Sequence, residues 1–182
     1  MARKTTQGFW SLPAWADKTT LTVIIETPKD SRNKFAFDPK RGVFELKKVL
    51  PAGMSFPYDF GFVPSTLADD GDPIDVLVLM DEPAFPSCVV GCRLIGVIEG
   101  ETTEDGQTER NDRLIAIEDH THSFEIVKTL SDLGEGFVSE LEAFFVNYHE
   151  LSNQQYRVLG ARGPKVARAH VDDAIRKRKK RR

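Results

Sequence analysis

The sequence has few cysteines and no long apolar run. Only two of its 182 residues are cysteine, which excludes a disulfide scaffold. No apolar stretch approaches the ~20 residues that cross a bilayer, and residues 8–15 are too broken to be the apolar core of a signal peptide. Hydrophobic residues make up 40% and charged residues 29%, as in folded globular proteins. We therefore expect one well-buried, cytoplasmic domain with no membrane partner.

Several catalytic motifs are also missing. The sequence has no G-x4-G-K-[ST] loop, no G-x-G-x-x-G, no G-x-S-x-G and no H-E-x-x-H. Cys88 and Cys92 could form a zinc site with His120 and His122, but Cys-x3-Cys is a poor zinc signature and buried free cysteines are commoner. The remaining chemistry is carboxylates with scattered cations, which suits metal-assisted attack of water on phosphorus.

Charge is distributed unevenly along the chain. The last seven residues, 176–182, are all basic, so with a formal net charge of −3 for the whole chain the remainder carries −10. A terminal run of like charges predicts a disordered, solvated tail, which could contact a polyanion. Removing it should abolish salt-sensitive polyanion binding and leave the chemistry unchanged. The acidic body itself could hold divalent cations.

Short β-rich runs predict a mainly β fold. Strand candidates are residues 21–27, 35–42 (a strand end and turn), 43–50, 75–80, 92–98 and 113–117. Residues 51–75 contain four prolines and three glycines, which predicts a long ordered loop. Several short strands separated by turn residues predict a closed or nearly closed barrel.

Two helices are predicted after the strands. An apolar stripe at helical spacing consists of Phe137, Leu141, Phe144, Phe145 and Tyr148. It predicts a helix from about residue 135 to 150. A second helix should begin near Pro164, which suits a first helical turn, and its expected buried residues are Val166, Val171 and Ile175.

These elements predict a single domain over residues 20–175. An extension (1–19) precedes it and the basic tail (176–182) follows it. Trp10 and Trp15 in the extension are interpreted as a patch that covers the barrel or contacts another subunit.

The densest chemical feature is residues 69–75, Asp-Asp-Gly-Asp-Pro-Ile-Asp. Its four carboxylates repel each other unless they are protonated or share cations. Gly71 allows a tight turn and the following proline favours an extended Asp72, so Asp70 and Asp72 could point the same way, with Asp75 at the head of the next strand. This predicts a nest of oxygen ligands for Mg²⁺ or Mn²⁺. An acidic surface turn is the alternative; an EF-hand loop fails because isoleucine and aspartate occupy its fifth and sixth positions.

The stretch Asp70-Gly-Asp-Pro-Ile-Asp-Val-Leu-Val78 resembles the signature of the family I soluble inorganic pyrophosphatases. Further segments resemble that family in the same order, namely residues 23–28, 32–35, 56–62 and 144–148. The resemblance, which runs from about residue 20 to 156, implies a mainly β (α+β) fold, a five-stranded OB-like β-barrel with two C-terminal helices. It also implies hydrolysis of pyrophosphate to two phosphates with several Mg²⁺ ions, and a homo-oligomer, a hexamer in bacterial members.

The resemblance also implies roles for individual residues. Asp70 and Asp75 would be metal ligands, and Asp72 would be the base beside a water or hydroxide that bridges two metal ions. The remaining metal ligands would be Glu26, Asp112 (shifted by one position from the family pattern) and Asp105, with Glu104 as its alternative. Phosphate oxygens would be held by Lys34, Lys48, Arg113, Tyr148 and His149.

The chain departs from the family pattern at several of these positions. Ala36 replaces a glutamate, Lys48 an arginine and His149 a lysine, while Phe56 and Phe60 replace tyrosines. Two alternatives therefore stay open beside pyrophosphate hydrolysis. One is a metal-dependent hydrolase of another, organic diphosphate, and the other is a non-catalytic OB-like module that binds nucleic acid.

Overall fold

Nine strands and two α-helices form the part of the chain that this computed structural model describes, residues 8–181. The strands are β1 (Leu21–Thr27), β2 (Asn33–Asp38), β3 (Val43–Val49), β4 (Asp59–Phe62), β5 (Asp75–Leu79), β6 (Val89–Glu104), β7 (Gln107–Arg110), β8 (Arg113–Glu118) and β9 (Gln155–Arg162). The helices are α1 (Glu135–Glu150) and α2 (Pro164–Lys180). Residues 1–7 of the expected extension and Arg182 of the expected tail lie outside the described residues.

Five strands close into a ring at the centre of the fold. Their order is β1–β4–β5–β8–β6, and β6 pairs back onto β1. Strands β5 and β8 run parallel with Asp75 opposite Arg113, while the other ring pairings are antiparallel. Ring closure satisfies the backbone groups that an open sheet would leave at its edges. The five-stranded, OB-like fold with two C-terminal helices is confirmed.

Strand β4 lies inside the segment that its prolines and glycines predicted to be one long loop, so that prediction is wrong for residues 59–62. The strand is short and contains Gly61, a residue that normally weakens a strand. Here glycine is required, because an added Cβ at Gly61 would lie 2.1 Å from the carbonyl oxygen of Ile24 in β1. The close approach of the β1 and β4 backbones explains why position 61 is a glycine.

Strand β6 is sixteen residues long, far longer than the predicted residues 92–98. Its first half belongs to the ring, and its second half pairs with β7 and β9. Neither β7 nor β9 was predicted, because β7 has no apolar residue and β9 is held by pairing with β6, which is distant in sequence. Strands β2 and β3 form a separate hairpin in which Lys34 lies opposite Lys48.

Helix α1 occupies the predicted range and buries Leu141, Phe145 and His149. Helix α2 begins at Pro164, as predicted, but its buried face differs from the prediction. Ala167, Val171 and Ala174 are buried and pack against β6, whereas Val166 is 37% exposed. Small alanine side chains let the helix approach the strand closely, which the larger aliphatic residues alone did not indicate.

The basic segment continues α2 to Lys180, so the prediction of a disordered tail is wrong for residues 176–181. The residues before β1 pack against the same helix: Trp15 donates its Nε1–H to Asp172 (3.2 Å) and Arg168 donates to the carbonyl of Lys18 (2.9 Å). Within residues 8–181, no helix has both the length and the apolar character needed to cross a membrane.

Candidate active site

The acidic turn, residues 69–75, connects β4 to β5. The Gly71 N–H donates to Ala68 O (3.2 Å) and the Ala68 N–H donates to Asp72 O (2.7 Å). The Asp72 N–H donates to Oδ1 of Asp70 (3.0 Å). Gly71 has φ +90°, a conformation that side chains other than glycine rarely adopt. The turn is therefore a defined structure, and Asp75 opens the next strand, as predicted.

The carboxylates of this turn repel one another. Partial removal from water, together with the negative charges of Asp75 and Asp72, raises the pKa of Asp70 to about 6. The pKa of Asp72 is raised for the same reasons, by partial removal from water and then by Asp75. Positive charge placed among these groups would favour their ionised forms.

Six of the predicted site residues line one pocket of about 420 Å³ beside the turn, here called the charged pocket. They are Glu26, Lys34, Asp72, Asp75, Arg113 and Tyr148. Five different elements contribute these side chains: β1, β2, the acidic turn with β5, β8 and α1. The fold thus brings together residues that lie up to 122 positions apart in the sequence.

Glu26 and Lys34 form a buried pair on one wall of the charged pocket. The Lys34 Nζ lies 3.5 Å from Oε2 of Glu26 and 3.8 Å from the ring centroid of Phe60. Glu26 also accepts the Phe37 N–H at 2.7 Å. Burial raises the pKa of Glu26 and lowers the pKa of Lys34, while each partner's charge opposes the other's shift. An anion in the pocket would favour the charged ammonium.

Arg113 carries a hydrogen-bond donor that residues 8–181 leave without a partner. Its Nη1 lies 3.1 Å from Oδ2 of Asp75 and also donates to Asn111. Its guanidinium packs over the rings of Phe145 and Tyr156. The side chain is buried, and its Nε has no hydrogen-bond partner within residues 8–181. A buried unpaired donor is costly, so this atom suits an anionic ligand.

Tyr148 and Lys48 lie together at the other side of the site. Burial raises the pKa of Tyr148 to about 12, which keeps the phenol protonated as a donor. The Lys48 Nζ lies 3.7 Å from the Tyr148 ring centroid and donates to Ser152 Oγ at 2.8 Å. Lys48 lies behind Tyr148, and its β3 neighbour Lys47 lines the charged pocket.

Asp112 does not line the charged pocket but a cavity of about 390 Å³ that Asp70 and Asp75 also line. Its carboxylate accepts the Gly100 N–H (3.0 Å) and a guanidinium N–H of Arg110 (2.8 Å), and it lies 3.0 Å from Nδ1 of His170. Although burial opposes the shift, these hydrogen bonds hold the pKa of Asp112 below its usual value. The carboxylate therefore already has cationic partners from the protein.

Asp105 is at the exposed tip of the β6–β7 hairpin, with φ +49°. It lines a second concavity, of about 540 Å³, together with Asp70, Asp72 and Glu104. The acidic turn therefore separates this concavity from the charged pocket, and Asp72 faces both.

His149 is buried behind the site, with 4% of its surface exposed. Its Nδ1 lies 2.8 Å from Phe145 O, and its ring stacks on Tyr156 at 4.7 Å between centroids. Burial, and then the charge of Arg113, lowers its pKa to about 4. The imidazole is therefore neutral at pH 7, and the structure does not bring it to the charged pocket.

Trp10 is a pocket residue that the sequence did not indicate. It lines the charged pocket with Phe37 and Phe62, and its ring packs against both. The guanidinium of Arg178 covers the same ring at 4.8 Å. No spacing rule connects residue 10 with strands β2 and β4, so only the folded chain could reveal this position.

The donors of the acidic turn fit a divalent cation by their chemistry. Within residues 8–181, no three His, Cys, Asp or Glu side chains are already close enough to surround an ion. Asp70, Asp72 and Asp75 nevertheless supply hard oxygen donors, which Mg²⁺ and Mn²⁺ prefer. Removal from water and then mutual repulsion raise the pKa values of Asp70 and Asp72, and a bound cation would offset both costs. Cys88 and Cys92 instead pack in and against the apolar core.

Comparisons with known proteins identify the family that this chain resembles. The family model described as inorganic pyrophosphatase matches residues 23–179. The inorganic pyrophosphatase of Nostoc sp. is 37% identical over 165 residues, which cover 91% of this chain and 95% of the relative. That of Geobacillus stearothermophilus is 35% identical over 152 residues, covering 84% and 90%. The crystal structure of inorganic pyrophosphatase from Thermus thermophilus matches with a TM-score of 0.87 at 33% identity, covering 95% of this chain and 99% of that one.

Proposed function

The chain belongs to the inorganic pyrophosphatase family and hydrolyses pyrophosphate to two orthophosphates, and from that premise we propose that the reaction depends on Mg²⁺ and takes place between the acidic turn and the charged pocket. One observation carries this proposal. Carboxylates of the turn and the cations Lys34 and Arg113 line the same pocket of about 420 Å³. The carboxylates can bind metal cations, and the cationic side chains can bind an anionic substrate.

Asp70, Asp75 and Glu26 would hold the divalent cations. Asp105 would be a further ligand, since it lines the second concavity together with Asp70. When bound, Mg²⁺ supplies positive charge that offsets the phosphates and makes water easier to deprotonate. Mn²⁺ also prefers oxygen ligands and is the expected substitute.

Asp72 is the proposed general base. It faces both the charged pocket and the second concavity, and its raised pKa makes it a better proton acceptor than an ordinary aspartate. The attacking water loses a proton to Asp72 and forms a bond to one phosphorus. The bond from that phosphorus to the bridging oxygen breaks, and the second phosphate leaves with the electron pair.

Arg113, Lys34 and Tyr148 are the proposed phosphate contacts. The unpaired Nε of Arg113 and the protonated phenol of Tyr148 are donors that the substrate oxygens can use. Such preformed donors stabilise charge that develops during the reaction. Lys48 would act from behind Tyr148, by its charge and by fixing the ring of Tyr148.

Asp112 and His149 are proposed to support the site without touching the substrate. Asp112 is held by Arg110 and His170. His149 is neutral and supports the ring of Tyr156. His149 belongs to α1, and Asp112 contacts α2 through His170.

Orthophosphate release tests the proposal. The protein, freed of metal by chelation, is assayed with pyrophosphate while Mg²⁺ or Mn²⁺ is added back, beside a panel of nucleotide and other organic diphosphates. We expect no release without metal, restored release with Mg²⁺, and a strong preference for pyrophosphate. Full activity after complete chelation would contradict the proposed metal dependence.

We also propose that the chain forms a homo-oligomer, with the hexamer as the expected state. Light scattering during size-exclusion chromatography measures the mass directly. A peak at the 20.5 kDa of one chain would contradict this.

A further inference from the structure

The basic end of α2, residues 176–181, lies against the acidic turn. The Lys177 Nζ is 2.5 Å from Oδ1 of Asp69 and 3.1 Å from Oδ2 of Asp173. These side chains are partly exposed, 41% for Lys177 and 49% for Asp69. A lysine placed between two carboxylates fixes one of them, Asp69, which is the first residue of the turn.

A second basic side chain, that of Arg181 just after the end of α2, lies near the turn. Gly71 is at the apex of the acidic turn, and an added Cβ there would lie 3.8 Å from the Nη1 of Arg181. Arg181 therefore reaches the part of the turn between Asp70 and Asp72. The segment that leads into the turn is held as well, since the Leu67 N–H donates to Ala174 O at 3.1 Å.

These contacts come from one face of the helix. His170, Asp173, Ala174 and Lys177 line a cavity of about 390 Å³, and the opposite wall contains three carboxylates of the turn. The intervals of three and four residues place these side chains on one stripe, and Arg181 continues it. Lys179, by contrast, is exposed and lies about half a helical turn away from Lys177.

The charge of this helix end matters for an anionic substrate. Without residues 176–182 the chain would carry −10 instead of −3. Six of these seven positive charges lie in residues 176–181, and the structure places those of Lys177 and Arg181 beside the acidic turn. Cations beside a cluster of carboxylates reduce its repulsion of an approaching anion, and this effect weakens as salt rises.

We propose that Lys177 is a positioning residue of the active site, which holds the acidic turn in place through Asp69, and that its charge and that of Arg181 reduce the repulsion between the turn and pyrophosphate. This rests on the proposed function of the acidic turn. It replaces the separation of roles that the sequence suggested, in which the basic tail had no effect on the chemistry.

Hydrogen exchange of the metal-free protein tests the positioning role independently of activity. The amides to follow are Ala68, Gly71 and Asp72, whose hydrogen bonds define the turn. We expect Lys177→Met to speed their exchange by a factor of about 5, the upper range for a partly exposed ion pair. Lys177→Arg should restore slow exchange, and Lys179→Met, which removes the same charge from another face, should leave it unchanged.

Steady-state kinetics test the electrostatic role. At low salt, Lys177→Met should lower kcat/KM for pyrophosphate about fivefold, chiefly through a higher KM. The loss should shrink at about 0.5 M KCl, where charges are screened within a few ångströms. Lys177→Arg should recover most of the loss, and Lys179→Met should match the wild type.

The outcomes separate this inference from the proposed function. A wild-type protein without metal-dependent hydrolysis would refute the proposed function, whatever the exchange rates show. A wild type that hydrolyses pyrophosphate, with Lys177→Met equal to Lys179→Met in both exchange and kcat/KM, would overturn the role of the helix end. A lower melting temperature of Lys177→Met with unchanged kcat/KM and turn exchange would overturn it too, because it would indicate a purely structural contact.

Discussion

Arg113 and Asp75 face each other across the parallel strands β5 and β8, with 3.1 Å between Nη1 and Oδ2. The pairing joins a cation to a carboxylate of the acidic turn at the wall of the charged pocket. Since the Nε of Arg113 remains without a hydrogen-bond partner in residues 8–181, the guanidinium has one side engaged by the protein and one donor available to a ligand. This geometry defines the first prediction.

Replacing Arg113 should impair catalysis, and the loss should be larger for methionine than for lysine. Arg113→Met removes the charge and leaves Asp75 unpaired, so we expect kcat/KM to fall roughly 100-fold or more. Arg113→Lys keeps the charge but loses the planar fork, so a loss of about tenfold is expected. Arg93, which donates to the carbonyls of Val127 and Phe124, is the control, and Arg93→Lys should keep kcat/KM. Equal kcat/KM in all three variants would rule out a phosphate contact at Arg113.

Asp72→Asn should remove turnover while preserving the fold. Loss of a general base typically costs about 100- to 10,000-fold in rate. The melting temperature should not fall, because the substitution removes one of several repelling carboxylates. Glu125→Gln, at an exposed residue that lines neither the charged pocket nor the second concavity, makes the same charge change and should retain activity. Near-wild-type kcat in Asp72→Asn would exclude Asp72 as the base.

His149 should make the stability of the protein depend on pH. Its pKa is about 4 in the folded state against ~6.5 when unfolded. Between these values the unfolded state binds more protons, so the free energy of unfolding rises with pH and levels off above about 6.5. Between pH 7.5 and 4.5 the histidine should account for a loss of roughly 2–3 kcal/mol.

Urea unfolding of the wild type and of His149→Gln at several pH values measures the contribution of His149 to the free energy of unfolding. Other carboxylates titrate in the same range, but they are shared by both proteins, so the difference between the two curves isolates His149. The wild type should lose more stability than the variant as pH falls from 6.5 to 4. Parallel curves would show that the imidazole is not held neutral by burial.

Gly61→Ala should destabilise the ring of strands severely. The new methyl group would lie 2.1 Å from the carbonyl oxygen of Ile24, so β1 and β4 would have to separate. A loss above about 4 kcal/mol is expected for such a backbone clash. Gly136→Ala, in α1 with open space around it, should instead be neutral or gain about 0.5–1 kcal/mol. Comparable melting temperatures for the two variants would contradict the close packing of β1 and β4.

Much of the fold was predictable where the sequence pattern is local. The helix of residues 135–150 follows from one apolar stripe, and Pro164 marks the start of α2. Strand β4 was missed because its four residues look like a glycine-containing loop until β1 packs against Gly61. Strands β7 and β9 were missed because pairing with β6 stabilises them, and the four residues of β7 include no apolar one.

In the candidate site, too, features that depend on neighbouring residues were predictable and features that depend on tertiary packing were not. The acidic turn was predictable because its aspartates are adjacent in sequence. The partners of Asp112 were not, since Gly100, Arg110 and His170 come from three different elements. The burial of His149 and the place of Trp10 beside the charged pocket were equally hidden, because each depends on what packs against it.

The sequence by itself determined the family, the mainly β fold and the acidic turn, because these depend on short motifs and on periodicities that neighbouring residues share. The tertiary structure alone decided which side chains face the charged pocket and which support it from behind. It also decided that the basic segment is a helix against the acidic turn and not a solvated tail. Burial, pKa values and ion pairs arise from groups that are distant along the chain, and only closure of the strand ring and docking of α2 bring those groups together.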